Sequence, residues 1–166
     1  MGFIARKHNI HLFSDEMYRF LEFDKKYALP SAADEYEKGI ALFGMSKTFG
    51  MPGARIGWLT MQDKNLYQAI ATLKDYTTIC PPAPSEILSL IALRNKDQII
   101  QKHKNLLQKN LKIFRQFLKE HHDLFSLIEP KGGSICFPRL LGKETASAFC
   151  TKLVEKSEII NKNTLD

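Results

Sequence analysis

A chain of 166 residues with 44% hydrophobic and 25% charged side chains has the make-up of one globular domain, or barely two small ones, which excludes disordered, collagenous and low-complexity classes. Its longest apolar stretches, residues 39–45 and 87–93, span seven residues against the about 20 that a bilayer-crossing helix needs, so a transmembrane reading is excluded. The net charge of +6 gathers in the second half, above all between positions 94 and 119, where eight basic residues meet one acid, Asp97. In chain order, residues 10–14 form a short apolar run that reads as a buried strand ending at Asp15. Residues 31–38 are polar and acidic and read as a surface helix or turn. A second buried strand follows at 39–43, then a loop with Gly and Pro over 44–53, then a third strand at 54–60.

Leu66, Ala69, Ile70 and Leu73 recur at helical spacing, which predicts a helix over 64–75 packed on a sheet. Pro81, Pro82 and Pro84 make a rigid loop, after which Ser85 is expected to cap a helix running to about Arg94. From 97 to 120, Ile99, Ile100, Leu107, Leu111, Phe114, Phe117 and Leu118 share one face and predict a long helix. The basic run then falls on its solvated side, and no aromatics alternate with the lysines as single-strand nucleic-acid stacking would need. Gly132 and Gly133 mark a turn, 134–140 an edge strand near Pro138, and 146–156 a closing helix, while the tail from 157 has little pattern. Strands alternating with helices give an α/β first part, residues 1–95, and a smaller α+β part, residues 96–166.

Cys80, Cys136 and Cys150 are too few and too scattered for a disulfide framework or a four-ligand zinc site, and no histidine pair has metal-ligand spacing, so no metal is expected. The cysteine usage points to a reducing, cytoplasmic compartment. No long apolar core follows the basic residues at the amino terminus, so no secretory signal is expected.

Two segments stand just beyond the ends of predicted strands, where α/β proteins place their sites. The first runs Ser14-Asp15-Glu16-Met17-Tyr18-Arg19. The second runs Gly44-Met45-Ser46-Lys47 and continues to Arg55-Ile56-Gly57. A lysine at the end of a buried strand amid small residues is expected to be poorly solvated, which disfavours the charged form and leaves a nucleophilic amine. Taken singly, Asp15 fits a helix cap, Tyr18 a core aromatic, Arg55 a surface ion pair and Lys47 a solvated loop residue. Their order and spacing together resemble the class I/II aminotransferases, enzymes of fold type I that use pyridoxal 5'-phosphate (PLP). In that family a small, an apolar and a small residue precede the cofactor lysine, and Arg, an apolar and a small residue follow from eight positions on. Gly44-Met45-Ser46-Lys47 and Arg55-Ile56-Gly57 satisfy that pattern, with Asp15 and Tyr18 upstream as the family's Asp-x-x-Tyr pair.

The resemblance implies that Lys47 carries PLP covalently and moves a proton, that Asp15 pairs with the pyridine nitrogen, and that Tyr18 donates to the phenolic oxygen. It implies Arg55 as the phosphate clamp and Ser46 as a further phosphate ligand. It also implies amino acid and 2-oxo acid substrates, a homodimer, and no nucleic-acid or membrane partner. A lyase or decarboxylase of the same fold would share the same electron sink, and a non-catalytic remnant the same motifs. Gly44 stands where many members have a phosphate-binding Ser. The family's phosphate cup, its ring-stacking aromatic and its substrate-gripping C-terminal Arg have no counterpart here, so the chain is expected to be the middle and part of the end of a longer enzyme.

Overall fold

In a computed structural model the described residues are 2–156, so the tail from 157 lies outside them. They divide into two compact units. One runs to Lys109 and takes in Lys131–Ser134, and the other holds Asn110–Pro130 and the chain from Ile135.

The first unit is an α/β layer. Helix α1 (Gly2–Lys7) leads into β1 (Leu12–Asp15), the short helix α2 (Ala32–Glu35) and β2 (Gly39–Gly44). Strand β3 (Gly57–Met61) follows, then helices α3 (Lys64–Thr77) and α4 (Ala83–Arg94), and α5 (Lys96–Glu120) begins in this unit. The sheet order is β1-β2-β3, with β1 parallel to β2 and β3 antiparallel to it. Central β2 is the buried strand, with Ala41 wholly buried, whereas Ile10 and Phe13 stay more than half exposed. The expectation of a buried first strand is thus corrected: β1 pairs on one side only and alternates between half-buried and exposed positions.

Residues 31–38 are also corrected from a surface element to part of the core. Tyr36 is 1% exposed, and its hydroxyl donates to the Ile10 carbonyl at 2.9 Å. Burying a ring of that size contributes roughly 2 kcal/mol, provided the hydroxyl keeps a partner. Across β2 and β3, Phe43 sits opposite Trp58 with ring centroids 5.9 Å apart, a stacked cross-strand pair that gives Trp58 a packing role. The third strand begins at Gly57 because Pro52–Ala54 forms a 3-10 turn and Arg55 then takes a left-handed backbone, φ 54°.

Asp63 caps α3 by accepting from the amides of Asn65 and Leu66. Helix α4 starts ahead of Ser85, with Pro82 at its N-cap and Pro84 in the first turn, where a missing N–H costs nothing. In the first turns of α5, Ile99 and His103 pack with residues of the first unit.

The second unit contains the rest of α5, a two-stranded antiparallel ribbon of β4 (Phe125–Ser126) and β5 (Arg139–Leu140), and α6 (Ala146–Lys156). Its aromatic cluster runs through Phe114, Phe117, Phe125 and Phe149. The strand expected over 134–140 shrinks to Arg139–Leu140, with Pro138 immediately before it. Among the described residues no helix is long and apolar enough to cross a membrane.

Candidate functional site

The register brings three chain segments to one end of the sheet. Asp15 closes β1, Gly44 closes β2, and Gly57 opens β3 directly opposite Gly44. Segments 15–18, 45–48 and 55–56 therefore all leave the same edge of the layer.

The loop after β2 is pinned by what surrounds its middle. Met45 is wholly buried and Phe49 nearly so, both in a core cluster with Ala92 of α4, and Thr48 is 3% exposed. Backbone bonds from Met45 N–H to Ile56 O (3.0 Å), Gly50 N–H to Lys47 O (3.1 Å) and Met51 N–H to Met45 O (2.9 Å) close the loop. Between Met45 and Phe49, only Ser46, half-buried, and Lys47, exposed, are left to project.

Lys47 extends its Nζ over the ring of Tyr18, 5.7 Å from the centroid, a cation–π contact worth roughly 0.5–1 kcal/mol at an exposed site. No carboxylate pairs with this amine among the described residues. The poorly solvated lysine expected from sequence is thus corrected to an exposed one that rests on an aromatic face, because Met45, Thr48 and Phe49 take the buried positions of its loop.

Asp15 is exposed and its Oδ1 accepts the Met17 amide at 3.1 Å, a local turn that leaves Oδ2 open. Behind it, Glu16 fixes the segment: Oε1 accepts from Ser31 Oγ at 3.0 Å and from the Ala32 amide at 2.9 Å, and Oε2 pairs with Arg19 at 2.9 Å. Gly44 has a steric reason to lack a side chain, since a Cβ there would lie 2.9 Å from Met17 Cε and 3.1 Å from the Ile56 carbonyl. Met17 therefore occupies the space into which a serine at this position would project.

Arg55 is exposed, and one guanidinium nitrogen donates to the Pro52 carbonyl at 3.0 Å. With Lys74, Thr78, Cys80 and Pro82 it lines a cavity of about 410 Å³. The structure thus places Lys47 against Tyr18 and carries Asp15, Ser46 and Arg55 at the same sheet end, with Arg55 folded back on its own loop. Sequence reading missed Glu16, Thr48 and His103. His103 is half-buried with Nδ1 2.9 Å from the Thr48 carbonyl. Among the described residues no three His, Cys, Asp or Glu side chains gather as metal ligands.

An unpaired amine, a carboxylate oxygen left open, a phenol under the amine and a largely free guanidinium match an aldehyde, a ring nitrogen, a phenolic oxygen and a phosphate. The residues present therefore fit PLP. Engaging Arg55 on a phosphate gives up its exposed bond to Pro52, which costs about 1 kcal/mol or less and is outweighed by charge-assisted bonds.

Comparison with known proteins adds to this geometry. Residues 2–163 match the family described as aminotransferase class I and II. A curated aspartate aminotransferase of Thermotoga maritima is 26% identical over 158 residues, covering 94% of this chain and 40% of the relative. Among solved structures, a PLP-dependent aminotransferase from Streptococcus suis is similar at 30% identity and TM-score 0.86, covering 93% of this chain and 40% of that one. N-Succinyldiaminopimelate aminotransferase from Mycobacterium tuberculosis is similar at 27% identity and TM-score 0.79, over 93% and 41%. The chain spans about 40% of the length of the relatives it matches.

Proposed function

The chain belongs to the class I and II aminotransferases, and we propose that it is the lysine-bearing part of an enzyme that moves an amino group between an amino acid and a 2-oxo acid with PLP. The observation that carries this reading is the Lys47 amine held 5.7 Å over the Tyr18 ring at the sheet end where Asp15 also stands. When bound, PLP supplies a conjugated electron sink for charge that develops at a substrate's Cα. Nζ of Lys47 would hold the cofactor's aldehyde and, when free, would serve as the base for the proton at a substrate's Cα. Asp15, whose Oδ2 is open, would keep the ring nitrogen protonated, and the Tyr18 hydroxyl would donate to the phenolic oxygen. Arg55 and the Ser46 hydroxyl would hold the phosphate through charge-assisted and neutral hydrogen bonds.

In this reading residues 1–95 belong to the cofactor-binding domain and 96–166 to a smaller one. The protein works as a cytoplasmic homodimer in amino-acid metabolism, without a nucleic-acid or membrane partner. Support for a dimer or further chain comes from α4, where Ile87, Leu88, Leu90 and Ile91 are all about half exposed or more. Support for a reducing compartment comes from three unpaired cysteines.

Borohydride reduction of the PLP-treated protein, followed by peptide mass spectrometry, tests the proposal. Pyridoxyl label concentrates on Lys47 and is lost from that peptide in Lys47→Ala, whereas label spread evenly over surface lysines would sink it. Amino transfer is then assayed on the longest polypeptide that the gene encodes around these residues.

A further inference from the structure

Thr48 is 3% exposed although its neighbour Lys47 is exposed, and its hydroxyl reaches across the chain. The single Oγ1 hydrogen is shared between the carbonyls of Arg19, at 2.7 Å, and Met17, at 3.0 Å. These two carbonyls bracket Tyr18, and neither receives a backbone N–H among the described residues. From the other direction, His103 of α5 places Nδ1 2.9 Å from the Thr48 carbonyl. A carbonyl oxygen only accepts, so Nδ1 carries the hydrogen. The imidazole also approaches the loop closely: a Cβ on Gly50, whose φ is +64°, would fall 2.7 Å from His103 Cε1. Only glycine combines that backbone angle with that approach.

We propose that Thr48 is a positioning residue that joins the Lys47 loop to the Asp15–Tyr18 turn, with His103 as its anchor on α5. The inference rests on the cofactor role argued above for Lys47. A lysine has four side-chain torsions, so its amine stays over one ring only if the backbones carrying the amine and the ring are fixed to each other. Thr48 makes that connection one residue from Lys47 on one side and one residue either side of Tyr18 on the other. Its hydroxyl is a better tie than a hydrophobic contact, because removing it leaves two carbonyls without a partner.

The test compares wild type with Thr48→Val, Thr48→Ser and His103→Leu. Each protein is treated with less than one equivalent of PLP, trapped with borohydride at a temperature well below its own melting midpoint, and assayed for the rate of label at Lys47. Thr48→Val is expected to slow labelling of Lys47 about tenfold, the size of effect one lost buried hydrogen bond carries. Thr48→Ser restores the rate to within about twofold, and His103→Leu falls between. Should Thr48→Val not fold, the labelling rate of His103→Leu decides between the two outcomes. A lower melting midpoint with Lys47 labelled at the wild-type rate in Thr48→Val and His103→Leu overturns the proposal, since the tie is then structural only. Label scattered over surface lysines in wild type overturns the cofactor reading, and this inference with it.

Discussion

Glu16 offers the sharpest test of how the turn beside Lys47 is held. Its side chain is only 9% exposed and makes three bonds, to Ser31 Oγ at 3.0 Å, the Ala32 amide at 2.9 Å and Arg19 at 2.9 Å. A buried carboxylate is tolerable only while its oxygens are satisfied. Glu16→Gln keeps the shape but turns charge-assisted bonds into neutral ones and leaves the Arg19 guanidinium, 24% exposed, facing an amide. The difference between charged and neutral bonds is about 1 kcal/mol each, and partial solvation of Arg19 discounts its share, so a loss of about 2 kcal/mol is expected. Glu16→Ala removes all three and should cost about 3–4 kcal/mol. Trp58 is the sole tryptophan and stacks in the same unit, so its fluorescence reports the transition. Urea titration gives the free energy, and the double mutant with Arg19→Ala isolates the ion pair. A Glu16→Gln protein within about 0.5 kcal/mol of wild type would refute the reasoning, because surface substitutions alone produce that much.

Two further predictions concern carboxylates with unlike duties. Asp15→Ala should leave PLP affinity nearly unchanged while slowing amino transfer by roughly a thousandfold in the longest gene product, and near-normal turnover would make Asp15 structural. Asp24 accepts the Lys26 amide at 3.0 Å and pairs with the Lys26 ammonium at 3.1 Å, and first the backbone bond, then the side-chain bond, hold its carboxyl below the usual range. A depressed folded value contributes stability that is present above the ordinary aspartate range and lost as pH falls through the lowered midpoint. An NMR titration should therefore place Asp24 below an unstructured aspartate, and raise it again in Lys26→Ala only as far as the backbone bond permits.

Much of the site was legible because its residues stand next to strand ends. A run of apolar residues from Gly39 to Gly44 announces β2, and whatever follows must emerge at an edge of the layer, so Ser46 and Lys47 could be placed from pattern alone. Asp15 was placed by the same logic, although β1 is half exposed, because a strand's end is set by its polar punctuation whichever face is covered. The conformation of Arg55 was not legible. A left-handed φ of 54° at a non-glycine depends on the Pro52–Ala54 turn and on the side chain's bond back to Pro52, and no propensity encodes that combination.

Glu16, Thr48 and His103 were invisible for a different reason. Their partners lie 15, 29 and 55 positions away respectively, beyond the reach of any periodicity argument. Each read as an ordinary polar residue, and its importance comes from burial that the layer creates only after β1 and β2 pair. The same pairing explains why a lysine so close to a core can remain exposed. Met45, Thr48 and Phe49 take the inward positions of the loop, so each hydrophobic anchor that fixes the backbone also leaves its neighbour facing outward. The amine is therefore positioned by what is buried beside it rather than by burial of its own. Substitutions at Met45 or Phe49, which offer the cofactor no polar group, should for that reason slow the borohydride-trapped labelling of Lys47.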